Sequence, residues 1–347
     1  MGANGLRRGA AHATLLGMVA LLLCCALASG VPSPALTLAD EMTAQGGKGD
    51  AGGWGMALYA RAFTAYALTN DVLDGTVTAE DAAPRLDALV DGALHSRVMR
   101  HFQLPGVVVA QGTIMSQSVA HLGHVALMLT GKSLWAPLTP RQQTILDGIT
   151  RALAHAITAS PNHLLPTYGM RVWPADNEVA LAALALQGHP AAALVTASLD
   201  ALEGAGLPPS ELKPRTLNAK DVPRGCALSW SVGLRALHAP QHARVLYVKY
   251  RDAYWTGLGP VVGFREWPRG VDRPSDVDSG PIILGIGVAA SGIGLGAARA
   301  VGETGDAEKL SRSASLAGLG FVEDQRGKGW LMRGMAAWAR NARVWRR

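Results

Sequence analysis

The chain is poor in cysteine, in aromatic residues and in charge. Its 347 residues include three Cys, 5% aromatics and 17% charged residues, against 49% hydrophobic ones. Three cysteines exclude a disulfide scaffold and a Cys-rich zinc module. The high apolar fraction excludes a disordered chain. Glycine is abundant at 41 residues, but it has no three-residue period, which excludes collagen. Acidic residues are missing from both ends. Two net positive charges sit in 1–30 and seven in 326–347, so of the total of +6 the body, 31–325, keeps −3. A mildly acidic body without a basic, aromatic-interleaved stripe predicts no nucleic-acid partner.

Long hydrophobic runs are also scarce. Arg7 and Arg8 precede an apolar run over 15–27, which is short of the ~20 residues that span a bilayer. Ala26-Leu27-Ala28 then reads as a cleavage site, so residues 1–28 are expected to be an export signal. The protein is then expected in the periplasm, the cell envelope or outside the cell. An uncleaved membrane anchor is the alternative. Export would leave Cys226 as the sole cysteine, a small hydrophobe rather than a nucleophile. Residues 29–52 carry Pro32, Pro34 and a Gly-rich stretch, and read as a flexible linker.

From residue 53 onward the pattern is helix after helix, expected as one all-α domain over 53–347. Apolar spacing near 3.6 recurs, with no sustained alternation of period two. Start signals include Thr78-Ala-Glu-Asp81 and Thr139-Pro140-Arg-Gln142, and stops fall at Gly131, Gly188, Gly204 and Gly302. The expected helices are 54–69, 78–101, 112–130, 140–158, 175–187, 191–203, 223–238, 241–255, 280–301, 306–319 and 328–344. Short links suggest antiparallel hairpins. The stretch 281–298 is nearly uncharged and glycine-rich, with GxxxG spacing at Gly292 and Gly296. A buried helix covered on all sides accounts for it better than a membrane span.

Five to six helical hairpins over this length resemble the six-hairpin (α/α)6 toroid superfamily, which includes glycosidases, polysaccharide lyases, epimerase domains and a terpene dehydratase-isomerase. The resemblance lies in the architecture and spans roughly 53–345. It implies a site in the bowl at one end of the inner helices, built from connecting loops.

Two segments between helices carry the chemistry. The first, 167–178, gathers Tyr168, Arg171, Trp173, Asp176 and Glu178 ahead of an apolar helix. A helix start explains the acids as caps. It does not explain the cation and aromatics beside them. The second, 254–280, runs for some 25 residues without a helical pattern, and long ordered loops are often functional. It holds Trp255, Arg265, Glu266, Trp267, Asp276 and Asp278. Both segments share a basic-x-Trp-Pro element, at Arg171 to Pro174 and at Arg265 to Pro268, which suggests paired lining of one bowl. Asp276-Val-Asp278-Ser279 resembles the Asp-x-Asp-Asp acid motif of class II terpene cyclases, with Ser at its fourth position. The resemblance puts that family's central acid at Asp278. Otherwise Asp278 or Ser279 is expected to cap the helix 280–301, leaving Asp276 to face the cavity. Arg224 stands at a helix start against the macrodipole, which calls for an acidic neighbour or an anionic ligand.

Other signals are weaker. His121 and His124, at i and i+3, read as buried core histidines rather than metal ligands. No P-loop, nucleophile elbow or strand-led Rossmann fingerprint is present, so no cofactor and no metal are expected. The C-terminal helix sets Leu331, Met335, Trp338, Ala342 and Trp345 on one face and Arg333, Arg340 and Arg347 on another. Either it packs on the body, or it makes a peripheral membrane contact.

Together these features point to an exported toroid enzyme acting on a carbohydrate or cell-wall polymer. Asp176 and Asp276 are the expected acid/base pair, with Glu266 as substitute. Trp173, Trp255 and Trp267, with Tyr168, would stack on sugar faces. Arg171, Arg224 and Arg265 would hold anionic groups or depress a carboxylate pKa, and Asp278 would contact substrate. A non-catalytic envelope protein that binds a partner is the alternative. An isomerase or dehydratase would instead need a cavity mainly of Leu, Trp and Met.

Overall fold

The computed structural model describes residues 33–45, 54–102, 118–276, 278–317 and 329–345. The expected signal segment lies outside them, as do residues 29–32 and 46–52 of the expected linker. The described chain is mostly helical, with thirteen helices and two small hairpins.

The first helix, α1 (Pro34–Ala44), falls where a linker was expected. Ser33 caps it by accepting from the Ala35 N–H, and Pro34 takes the first helical position, where its missing N–H costs nothing. Ala35, Leu38, Ala39 and Met42 make one stripe and are buried. The proline that reads as a breaker here is a starter.

The chain continues as α2 (Trp54–Leu73), α3 (Ala79–Ala93), α4 (Ser96–His101), α5 (Val119–Ser133), α6 (Pro140–Ala159), α7 (Pro174–Leu186), α8 (Ala191–Gly204), α9 (Gly225–Ala236), α10 (Pro240–Tyr254), α11 (Val288–Ala300), α12 (Thr304–Ala317) and α13 (Trp330–Arg340). The expected helix 78–101 breaks at Leu94 and restarts after His95, whose ring accepts from the Arg97 N–H.

Two kinds of helix alternate. In α3, α6 and α10 the buried residues form one stripe, such as Leu146, Ile149, Leu153 and Ile157 of α6. In α5 and α7 nearly every residue is buried, which requires neighbours on all sides. The contacts supply them. The better-covered helices follow one another: α2 packs on α5, α5 on α7, α7 on α9, α9 on α11, α11 on α13, and α13 on α2. Their striped partners lie against them, α3 on α2, α6 on α5, α8 on α7, α10 on α9 and α12 on α11, while α1 packs on α2, α3 and α13.

Close approach needs small residues. A Cβ on Gly123 of α5 would fall 2.9 Å from the Ala180 backbone nitrogen of α7. Burial also accounts for the two histidines of α5. His121 Nε2 lies 3.0 Å from the Ala93 carbonyl, and His124 Nδ1 lies 2.7 Å from the Tyr66 hydroxyl. Both rings are fully buried, and burial pushes them down to about 4 and about 3, so they stay neutral.

The first and last described helices meet. Met335, Trp338 and Trp345 are buried, and Gly334 sits against the Ala60 carbonyl of α2. The basic side chains of this region pair with acids of α1 and of the end of α2: Arg333 with Glu41, Arg340 with Asp71, Arg343 with Asp74. Asp71, 2% exposed, also accepts from Ser33 Oγ and Asn341 Nδ2, so one carboxylate ties α1, α2 and the C-terminal segment.

The first hairpin falls in the segment read as an irregular loop, and the second in the start of the expected helix 280–301. Strands β1 (Trp255–Leu258) and β2 (Val261–Phe264) pair antiparallel with Trp255 opposite Phe264. Strands β3 (Ile282–Ile283) and β4 (Ile286–Gly287) follow. The helix expected over 280–301 therefore starts at Val288, with Gly287 at its N-cap. Neither Asp278 nor Ser279 caps it. Each strand is four residues or fewer, and three of the four contain a glycine: Gly257, Gly263 and Gly287.

Candidate active site

A cavity of about 290 Å³ opens where the first turns of α2, α7, α9 and α13 come together. Tyr59 comes from α2, Asp176 from α7, Cys226 and Trp230 from α9, Ile293 from α11, and Leu331 and Met335 from α13. The segments between helices add Tyr168, Arg171, Trp173, Glu211, Asp221, Arg224, Asp276 and Asp278.

The segment before α7 is bent by a tight turn. Tyr168 bridges Arg171 through Gly169 and Met170, and Gly169 takes φ +54°, a conformation glycine adopts freely. Val172 then pairs with Leu212, which sets Arg171 beside Glu211. The guanidinium grips that carboxylate with Nε at 3.1 Å and Nη2 at 2.9 Å. Lys220 Nζ adds a third contact at 2.7 Å. Glu211 is pushed down to about 2, above all by the Arg171 hydrogen bond. Buried Asn177 clamps the turn to the helix. Its amide bonds the Leu165 N–H and carbonyl and the Trp173 carbonyl.

Asp176 does not cap its helix. Trp173 holds the cap position without a side-chain bond, and Asp176 accepts the Thr167 hydroxyl at 2.6 Å. The residue is 8% exposed. Burial pushes its carboxyl up to about 7; the Thr167 bond opposes this and the Asp278 charge adds to it.

The other two aspartates behave differently. Asp276 Oδ1 accepts from Arg224 Nη2 at 2.8 Å, the Ser279 N–H at 2.8 Å and the Asp278 N–H at 3.1 Å. Burial works to raise its carboxyl, but Arg224 and Ser279 win and hold it below the ordinary range. Asp278 makes no ion pair among the described residues. Burial raises its carboxyl, and the charge of Asp276 raises it further.

Arg224 connects this site to the interior. Its Nε bonds Glu266 Oε1 at 2.8 Å. Glu266 is fully buried, and it also accepts from the Cys226 N–H at 3.2 Å and the Cys226 thiol at 3.0 Å. Burial raises Glu266, with Cys226 and Arg224 opposing. Burial, reinforced by Glu266, lifts the Cys226 thiol well above its usual value, so it stays protonated. A Cβ at Gly225 would fall 1.9 Å from the Arg265 carbonyl, so only glycine lets α9 begin this close to Glu266.

The cavity thus gathers Asp176, Asp276, Asp278, Tyr168, Arg171, Trp173 and Arg224. It does not gather Glu266, which sits beneath Arg224, nor Trp255, Arg265 and Trp267. Trp255 lies edge-on to Phe264 and under Arg251. Arg265 turns back to the Trp267 carbonyl, and Trp267 lies between Arg224 and Arg273. Of the two basic-x-Trp-Pro elements, only the first lines the cavity.

Sequence reasoning missed Tyr59, Trp230, Glu211 and the apolar wall of Met56, Ile293, Leu331 and Met335. Tyr59 reaches the Tyr168 hydroxyl at 3.0 Å and lies edge-on to Trp230 at 5.4 Å. On helices such residues follow the core spacing. The one available signal was their place in a first or second turn.

Among the described residues no group of three or more His, Cys, Asp or Glu is arranged to hold a metal ion. Among them, too, no helix is long and apolar enough to cross a membrane. No protein-family model matches the chain, and no curated protein sequence matches it significantly.

Proposed function

We propose that this chain is an exported α/α-toroid enzyme that performs acid/base chemistry at a carbon–oxygen bond of a carbohydrate. The toroid reading is supported by the succession of contacts from α2 through α5, α7, α9, α11 and α13 back to α2, each with a striped helix against it.

One observation carries the chemical reading. Asp176, raised to about 7, shares a cavity with Asp276, held ionised by Arg224. Two carboxyls of unlike environment divide the roles of proton donor and anion. Asp176 donates its proton to the departing oxygen. Asp276, with Oδ1 already accepting three bonds, is a weak base and serves as a fixed negative charge. Asp278, without an ion pair among the described residues, takes the proton from the attacking water or from the sugar carbon. Tyr168, Trp173 and Trp230 offer aromatic faces for sugar rings. Arg171 and Arg224 are committed to Glu211, Glu266 and Asp276, which favours a neutral sugar over an anionic one.

The wall of Met56, Ile293, Leu331 and Met335 favours a second reading, a dehydratase or isomerase of an apolar alcohol. It uses the same proton donor.

The test is turnover of a panel of neutral oligosaccharides and apolar alcohols by the wild type and Asp176→Asn. Turnover that falls at least a hundred-fold in the variant supports the reading. Tight binding of a wall polymer without turnover, unchanged by Asp176→Asn, would replace it with a non-catalytic envelope protein.

A further inference from the structure

A second cavity, of about 50 Å³, lies between α11, α12, α13 and the strand β2. Its walls are Val262, Ile286, Val288, Leu310 and Ala314. Two serines also line it, but neither offers a free polar partner. Ser291 Oγ accepts the Phe264 N–H, and Ser313 Oγ accepts the Val262 N–H and donates to the Lys309 carbonyl. The space exceeds what one water needs, yet it lacks the two to four polar partners that hold a water.

This cavity shares Ile293 and Met335 with the acid cavity. Those two side chains are the partition between them. Methionine is unbranched and flexible, so of the two it is the side chain that can swing aside.

The glycines of α11 supply an independent observation. Gly294 and Gly296 are required by packing, since a Cβ would fall 2.6 Å from the Phe264 ring and 2.3 Å from the Trp338 ring. Gly292 has no such reason. A Cβ there meets nothing within 4 Å, and Gly292 lines the second cavity. A glycine inside a helix lowers its stability relative to alanine, and here nothing in the packing repays that. The residue keeps space open.

We infer that the second cavity is a subsite for an aliphatic chain joined through the reacting oxygen to the group held beside Asp176. The inference rests on the acid/base reading for the position of that oxygen. It changes the substrate class from a plain polymer to an amphiphile, either a sugar with an aliphatic aglycone or an apolar alcohol.

The experiment is calorimetric titration of the full chain with n-alkyl β-glucosides from butyl to octyl, and with n-alkanols of the same lengths. Binding should strengthen by about four-fold per methylene over the first few carbons. Gly292→Leu enters the space from a position where a Cβ meets nothing within 4 Å, so it should lose that dependence on length while its Tm shows that it folds. Asp176→Asn should keep it. A slope with glucosides alone assigns the chain to an aglycone, and equal slopes with alkanols assign it to a simple alcohol. Affinity that does not change with chain length in the wild type would overturn the subsite. So would a Gly292→Leu protein as length-dependent as the wild type. Absence of turnover of every substrate by the wild type, with the length dependence intact, would remove the acid/base reading and leave the subsite standing.

Discussion

Thr167 donates its hydroxyl to Oδ2 of Asp176 over 2.6 Å, joining the turn before α7 to that helix's first turn. A hydrogen bond to a carboxylate ordinarily favours ionisation. Here burial outweighs it, and Asp176 remains a proton carrier at neutral pH.

A pH dependence of stability follows from that carboxyl. Between about pH 4 and pH 7 the folded state keeps the Asp176 proton and the unfolded state has lost it, so this group lowers stability as pH rises through that window. Asp176→Asn removes its share. Chemical denaturation at pH 5, 6 and 7 should show a stability-versus-pH slope shallower by up to one proton, and a variant more stable than the wild type at pH 7. An unchanged slope would mean that Asp176 is ionised in the fold.

Arg224→Gln tests the link from Glu266 to Asp276. The variant leaves a fully buried carboxyl without its cation, a change that typically costs about 3–5 kcal/mol. Asp276 loses its main ionising partner and should titrate at higher pH. Urea unfolding gives the first quantity, and carboxyl NMR titration of Asp276 the second. If Asp276 titrates as before, the Ser279 and Asp278 N–H groups hold it ionised without Arg224.

A second buried charge cluster lies between α7, α8 and α9. Arg235 bonds Glu178 and Glu203, and burial lifts Glu178 to about 7 against the pull of Arg235. Arg235→Met should destabilise by about 3–5 kcal/mol, more so as pH rises and the stranded carboxyls ionise. Adding Glu178→Gln and Glu203→Gln should restore most of the loss. Thermal melts at pH 5 and pH 8 distinguish this from lost packing, which would be the same at both.

Leu38→Ala asks whether α1 belongs to the core. Leu38 is 1% exposed, and such truncations cost about 2–5 kcal/mol. Were residues 29–52 a free linker, the midpoint of unfolding would not move.

What could be read beforehand depended on how far each residue departed from its background. Asp176, Arg171 and Trp173 stood out because a helix start needs acids but no guanidinium or indole. Asp276 and Arg224 stood out for the same kind of reason, a charge where the local helix gives none a role. Tyr59 and Trp230 did not, since an aromatic at core spacing looks like core. Glu266, expected as the substitute acid, lies in a segment without a helical pattern, where spacing gives no sign of burial. The fully buried position beneath Arg224 depends on Gly225, whose missing Cβ no spacing rule detects. The helices were legible from their 3.6-residue stripes and caps. The hairpins were not, because two-residue and four-residue strands containing glycine have too few positions to show a period.

The meeting of α13 with α2 has a consequence for biosynthesis. The partners are separated by some 270 residues, so Trp338 and Trp345 are made long after the residues of α2 that they touch. At ribosomal rates the interval is on the order of tens of seconds. Throughout it, Phe63 of α2 has its neighbours Tyr66 and Trp230 but lacks the edge-on indole of Trp338. A chain cut before Trp338 lacks both of those indoles, and Gly131 and Gly233, whose missing side chains make room for them, then face empty space.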